Sequence, residues 1–252
     1  MNLAAFEAFV KVMETGSISL AADQLFITQP AVTKRIHSLE EYFGVKLFES
    51  AGRGVQATHA AHSLLPKVKN WLNELGDIHY TLSHEQGQVQ GKLKIGTSHH
   101  IGLHHLPSHL RRYVQEYPDV TLDVHFVDSE QAHEQVIAGD LELAFLTLPP
   151  RGDARLNYVT IWNDPLVFVV APFHPLAQQK NLCLEDLLDY PSLLPSSQTY
   201  TSQITLAEFE KQGIKPKVSM SNNPLESIRM LVSIGLGWSV LPKTLVNHDL
   251  HQ

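Results

Sequence analysis

Near residue 90 the hydrophobic pattern of this chain changes period, and that break constrains the fold more than any other feature. Before it, apolar residues recur every three to four positions, as they do along helices. After it, short apolar runs typical of strands alternate with helical stretches. The first regime implies packed helices, and the second implies an α/β unit with a parallel sheet and right-handed crossovers. Between them "SHEQGQVQGK" is polar and glycine-containing, which reads as a hinge.

In the helical part, Leu3, Phe6, Phe9, Val10 and Met13 make one apolar stripe, and Gly16 stops the helix. Ser17 is a good N-cap for a second, short helix whose inner face is Ile18, Ala21, Ala22 and Leu25, small enough to let a neighbour approach closely. A third helix starts in "TQPAVTKRIHSLEEYF", with Thr28 or Gln29 as cap and Pro30 in the first turn, where the missing amide costs nothing. Val32, Ile36, Leu39 and Phe43 form its expected buried stripe, which leaves Gln29, Thr33, Lys34 and His37 on the other side. A short helix, a tight turn and a helix with a polar, basic N-terminal half form the pattern of a helix-turn-helix reader of DNA. Gln29 can pair with adenine, Thr33 with a thymine methyl or a phosphate, and Lys34 and Arg35 can neutralise phosphates. A plain three-helix bundle with a solvated polar face satisfies the same spacing.

Beyond Thr58 a long helical pattern carries Leu64, Val68, Trp71, Leu75, Ile78 and Leu82 at steps of four and three, the spacing of a seam for a partner helix. A homodimer joined there has the symmetry needed for a two-part operator. Past the hinge, "KLKIGTS", "VTLDVHFV", "LELAFLTL", "LVFVVAPFHPL", "YPSLLP", "KPKVSMS" and "WSVLP" read as strands. "LPSHLRRYVQEYP", "DSEQAHEQVIAGD", "TSQITLAEFEKQG" and "PLESIRMLVSIGLG" read as helices. Two such halves form a cleft, and ligands of open α/β sheets bind where strands end and helices begin.

The net charge of −7 argues against indiscriminate binding to nucleic acid, so any DNA contact must come from a local basic surface. "MNLAAFEAFVKVMETG" is not a secretory signal, because Glu7 and Lys11 interrupt its apolar run, and no segment has the roughly 20 apolar residues of a membrane span. The single cysteine, Cys183, can neither form an internal disulfide nor anchor a Cys-rich zinc site, which fits the cytoplasm.

Read as one segment, "FVKVMETGSISLAADQLFITQPAVTKRIHSLEEYFGVKLFESAGRGVQATHAA" closely resembles the DNA-binding region of LysR-type transcriptional regulators. The resemblance rests on the Gly-Ser-hydrophobic-Ser start, the paired Ala21 and Ala22, the "TQPAVTKRIHSLE" recognition helix and the "FGVKLFE" wing followed by "GRGV". It implies that Ser17 and Ser19 lie near the DNA backbone or groove, that Thr28, Gln29, Pro30, Thr33 and Lys34 face the major groove, and that Arg53 in the wing reaches a phosphate or the minor groove. Three positions depart from the family pattern: Ser50 stands where Arg is usual, Ala57 where Leu is usual and Ala61 where Gly is usual. The later segments resemble the same regulators' effector domain, which is similar to periplasmic binding proteins.

The resemblance thus implies an all-α winged helix-turn-helix domain over 1–58, a linker and dimerisation helix with its hinge over 59–90, and over 91–252 an α/β effector domain of two Rossmann-like subdomains. Its expected partners are double-stranded operator DNA, a small-molecule effector, a second copy or a dimer of dimers, and RNA polymerase, with no cofactor and no membrane. Family members usually continue for several tens of residues past the "GLGWSVLP" segment, whereas this sequence ends at Gln252, so the effector domain is expected to lack its closing elements.

"GTSHHIGLHHLPSH" places His99, His100, His104, His105 and His109 within eleven positions. A nucleophile elbow at Ser98 is not encoded, because the fifth position is His100 rather than Gly, and no enzyme is expected. Metal binding is the better rival, since His100 and His104, or His105 and His109, lie one helical turn apart, but no cysteine and no acidic pair completes a site before Glu116. No metal is therefore expected, and a solute-binding or metal-sensing module with secondary DNA contacts stands as the alternative function. The family resemblance instead places Ser98 at a strand end on the rim of the effector cleft, with His99 and His100 as rim contacts, Thr147 opposite, and Thr199 and Thr201 at the opening of the second-half helix. Hydroxyls beside helix N-termini suit a small carboxylate or a similarly polar metabolite, and His104, His105 and His109 are expected on the helix surface.

Overall fold

The structure, a computed structural model, describes residues 2–51, 54–83, 89–221 and 224–252, the side chains of 77 and 79–83 excepted. The chain divides into two compact units, residues 1–88 with 137–140, and residues 89–136 with 141–252.

The first unit runs α1 (Leu3–Thr15), α2 (Ile18–Gln24), α3 (Gln29–Phe43), β1 (Phe48–Ala51), β2 (Gly54–Ala57) and α4 (His59–Ser83). Gly16 and Gly44 close α1 and α3 in the left-handed conformation, with φ of 63° and 68°, which suits glycine because it has no Cβ to clash. The Ser17 hydroxyl accepts the Leu20 amide and caps α2. Phe6, Phe9, Val12, Val32, Ile36, Leu39 and Leu47 make the core, and Ala21 and Ala22 are fully buried where α2 meets its neighbours. Phe43, expected in that core, sits at the helix end and is exposed.

The domain is not helical throughout: β1 and β2 form an antiparallel hairpin pairing Phe48 with Ala57. Glu40 ties the end of α3 to this wing, accepting the amides of Leu47 and Phe48 and pairing with Lys46 at 2.7 Å. Burial pushes its carboxyl upward, but these hydrogen bonds outweigh burial and hold it below its ordinary value.

Helix α4 corrects one expectation. Val68 is buried, Leu64, Trp71 and Leu72 pack against the core of the same unit, and Trp71 meets Phe6 edge-on at 5.1 Å. The first half of the supposed seam is thus taken by its own chain. Leu75 is half-buried and Ile78 is 55% exposed, while the side chain of Leu82 lies outside the described residues.

The second unit begins with a parallel three-stranded sheet, order β4-β3-β5, of β3 (Gly91–Thr97), β4 (Val120–Phe126) and β5 (Leu143–Phe145). It carries α5 (His99–His104), α6 (Pro107–Glu116) and α7 (Ser129–Ile137). The following half contains β6 (Leu166–Val169), β7 (Ser192–Leu194), α8 (Tyr200–Lys211), β8 (Val218–Ser221), α9 (Leu225–Ser233) and β9 (Ser239–Pro242). Strands β7 and β8 run parallel, as helix-linked strands do. The pair β6 and β9 is antiparallel, so the parallel pairing implied by strand–helix alternation does not extend to these two strands. Trp238 anchors this half, stacked on Phe209 at 5.6 Å and donating its indole N–H to the Leu187 carbonyl at 2.9 Å.

Candidate functional site

Among the described residues, a groove on α3 and a cleft in the second unit combine polar side chains with an open surface. On α3, Gln29, Pro30, Thr33, Lys34 and His37 line one shallow groove, while Val32, Ile36 and Leu39 bury the opposite side. Thr28 occupies the N-cap position without a side-chain cap bond. The Gln29 amide donates to the Ser19 hydroxyl at 2.6 Å, which joins α2 to α3 and orients Gln29 at the mouth of the groove. The hydroxyl of Ser17 is engaged in capping.

Arg35, expected to neutralise phosphate, does not line this groove. It is half-buried, and its guanidinium donates to the Ala4 carbonyl at 3.4 Å. Arg53 lies outside the described residues. His37, absent from the expected groove contacts but noted on that helix face, stands one turn beyond Thr33 on the groove.

The second place is a cleft lined by Ser98, His99, His100, Asp128, Ser129, Glu130, Thr147, Pro195, Thr199, Thr201 and Leu225. All six effector contacts expected from the sequence are on it. Ser98 sits at the N-cap of α5 with its hydroxyl unused in capping. The Thr147 amide donates to the Ser129 hydroxyl at 3.1 Å, and the Thr199 hydroxyl caps α8 while donating to the Ser196 carbonyl at 2.8 Å. Thr201 is buried in the wall.

The charge of the cleft bears on which of the expected ligands, a small carboxylate or a similarly polar metabolite, it would take. The carboxylate of Glu130 already accepts the Tyr200 amide at the start of α8, and Asp128 stands on the same wall. A small carboxylate there would meet like charge where free amides were expected. Tyr200 itself is held toward the neutral phenol: burial first, then Glu130 and its neighbours, pushes its hydroxyl up to about 12.

His100 is likewise not a simple rim contact. It is only 6% exposed, and its Nε2 donates to Asp164 at 2.8 Å with the Thr244 hydroxyl 3.1 Å away. His105, expected on the surface, donates to the same carboxylate oxygen at 3.0 Å and stacks on Trp162 at 5.2 Å. The Thr244 hydroxyl and amide complete the set of donors to Asp164, at 2.6 and 3.1 Å. Burial would raise this carboxyl, yet the hydrogen bonds from Thr244, His100 and His105 outweigh it and hold it down to about 2. Burial also lowers His100 against the upward pull of Asp164, which favours the neutral imidazole. His104 and His109 are exposed, as expected.

Comparison with known proteins assigns the chain. The family pattern described as "LysR substrate binding domain" matches residues 86–252, and that described as "Bacterial regulatory helix-turn-helix protein, lysR family" matches residues 3–62. The HTH-type transcriptional activator CmpR of Synechocystis sp. is 30% identical over 94% of this chain and 77% of its own length. The HTH-type transcriptional regulator CysB of Haemophilus influenzae is 28% identical over 89% of this chain and 70% of its own length. The chain belongs to the LysR family.

In solved structures a full-length OxyR variant from Pseudomonas aeruginosa shares the fold at 21% identity, with a TM-score of 0.72 over 98% of this chain and 82% of that one. The LysR family member described here is thus a transcriptional regulator with a DNA-binding helix-turn-helix and an effector-binding α/β domain. What sequence reasoning missed in this regulator is the set of acids, Glu130, Asp164 and Glu226, together with Thr244. Each reaches the histidine segment or the cleft from a distant element, and no local motif announces any of them.

Proposed function

We propose that this LysR-type regulator reads operator DNA with Gln29, Pro30, Thr33 and Lys34, with His37 joining them and Thr28, Ser17 and Ser19 at the backbone edge. It acts as a homodimer or dimer of dimers paired through α4 beyond the part packed on its own core, where Leu75 and Ile78 lie. The working domains are 1–58, 59–90 and 91–252, and the protein acts in the cytoplasm without catalysing a reaction; no described helix is long and apolar enough to cross a membrane. The effector is a small polar molecule carrying hydrogen-bond donors, held by Ser98, His99, Thr147, Thr199 and Thr201 against Asp128 and Glu130. Its binding favours one arrangement of the cleft walls, and the free-energy difference between arrangements is what reaches the DNA.

The supporting observation is the two-sided character of α3: one side buries three aliphatic residues while the other presents a polar groove with a fixed Gln29. Such a face offers an amide for adenine and a cation for phosphate at adjacent turns. The test is binding to promoter fragments, including the region upstream of the protein's own gene, at several salt concentrations. Specific binding should exceed that to random DNA by about a thousandfold or more. Gln29→Ala should lower discrimination by roughly 1–3 kcal/mol, whereas Lys34→Ala should weaken binding to all sequences and reduce the salt slope by about 1. Equal affinity for promoter and random DNA defeats the reading.

A further inference from the structure

Among the described residues two groups of metal-ligating side chains lie close together, and both contain His100: His100, His104 and Glu226, and His100, His105 and Asp164. The second is a completed hydrogen-bond network, since each imidazole donates to Asp164 at ordinary distance and Thr244 fills what remains. In the first group the bonding is unfinished. Among the described residues, the Nδ1 of His100 and the Oε1 of Glu226 are both buried without a hydrogen-bond partner. Because Nε2 of His100 donates to Asp164, Nδ1 of the neutral ring carries a lone pair. Two buried lone pairs, on an imidazole and a carboxylate, are costly unless a cation lies between them.

The remaining geometry says what cation. Nε2 of His104 lies 3.5 Å from Oε1 of Glu226, long for a hydrogen bond but close to the roughly 3.3 Å edge of a tetrahedron of zinc–ligand bonds. The candidate ligand atoms of the three residues all fall within 4.8 Å of one another. His100 and His104 are one turn apart on α5, and Glu226 stands in the first turn of α9. Metal-bound histidines characteristically donate their other ring N–H to a carboxylate, and Asp164 is so placed behind His100. We propose that His100 Nδ1, His104 and Glu226 bind a divalent transition-metal ion of the zinc class, with Asp164 as the group that orients His100. Two imidazoles and one carboxylate leave a fourth position open, and His100 and Leu225 also line the cleft, so an ion here would join α5 to α9 at the cleft wall.

The experiment is titration of the chelator-stripped full chain with Zn²⁺ near neutral pH against a chromophoric competitor, folding being checked by circular dichroism. One ion per chain is expected, with Mg²⁺ unable to compete. His104→Ala and Glu226→Gln should each weaken Zn²⁺ binding at least about tenfold, and Asp164→Asn by about 10–100-fold. His104 is exposed and Gln is isosteric with Glu, so both variants should fold, and His248→Ala on the surface should bind like the parent. Zinc affinity unchanged in both His104→Ala and Glu226→Gln, or no ion retained at micromolar concentration, overturns the site. No DNA or effector enters this measurement, so it succeeds or fails independently of operator recognition.

Discussion

The groove on α3 draws all its side chains from one 15-residue helix, whereas the network around Asp164 joins His105, His100 and Thr244 from positions 59, 64 and 80 residues away. In the first region local rules suffice: period, caps and a proline in the first turn set which side chains share a face. In the second, the chemistry is created by folding. An aspartate with no local motif becomes the common acceptor for two histidines, one expected at the cleft rim and one on the helix surface. Function read from one helix is therefore open to direct inspection of the sequence, and function assembled across elements is not.

The largest expected effect comes from splitting α4 along the same line. Trp71 packs on Phe6, so Trp71→Asp should destabilise the first unit by about 3 kcal/mol or more, placing a charge where an aromatic pair was. Ile78→Asp should leave that unit's stability nearly unchanged and dissociate the proposed dimer. Chemical denaturation and sedimentation velocity read the two apart. A Trp71→Asp protein of parental stability that merely becomes monomeric would return Trp71 to the seam and erase the distinction between the halves of α4.

The Asp164 network should come next. Asp164→Asn replaces an anionic acceptor of four hydrogen bonds and should cost on the order of 1–2 kcal/mol, discounted for its partial exposure. The pH dependence has a definite sign. His100 is lowered from its ordinary 6.5 by burial, so the fold favours its neutral form and loses stability as pH falls below 6.5. Asp164 is held near 2 against an ordinary 3.8, so its contribution is intact above 3.8 and disappears as pH falls from there through 2. Denaturation profiles of the parent should show both losses, and Asp164→Asn should lack the lower one. A variant that keeps the lower loss would show that other carboxylates cause it.

What was legible follows sequence distance closely. The caps at Ser17 and Gly16, the stripe on α3 and the alternation of strands and helices past residue 90 all depend on neighbours within a turn or two. Ser98, Thr147, Thr199 and Thr201, which the family resemblance placed at strand ends and helix starts, line one cleft. The charge of that cleft was not legible, because Glu130 reaches the Tyr200 amide from 70 positions away. The antiparallel pairing of β6 with β9, Trp71 on Phe6, and Asp164 between two histidines share that character: each is a pairing fixed by the fold, with no period of its own.

The smallest expected effect probes whether the local region is as complete as it looks. Ser50 lies on β1 opposite Val55, exposed, at a position where the family usually carries Arg. If the wing lies against the phosphates, Ser50→Arg adds one cation to the contact. Affinity for any DNA should then rise a few-fold at low salt, and the slope of log affinity against log salt should steepen by about 0.9, the release expected for one further phosphate neutralised. Discrimination between operators should stay as it was, because a phosphate contact carries no sequence information. An unchanged slope would mean that the wing stands clear of the backbone and that α3 alone makes the DNA contact. A changed base preference would mean that β1 enters a groove, in which case recognition by this unit too is assembled across elements rather than carried on one helix.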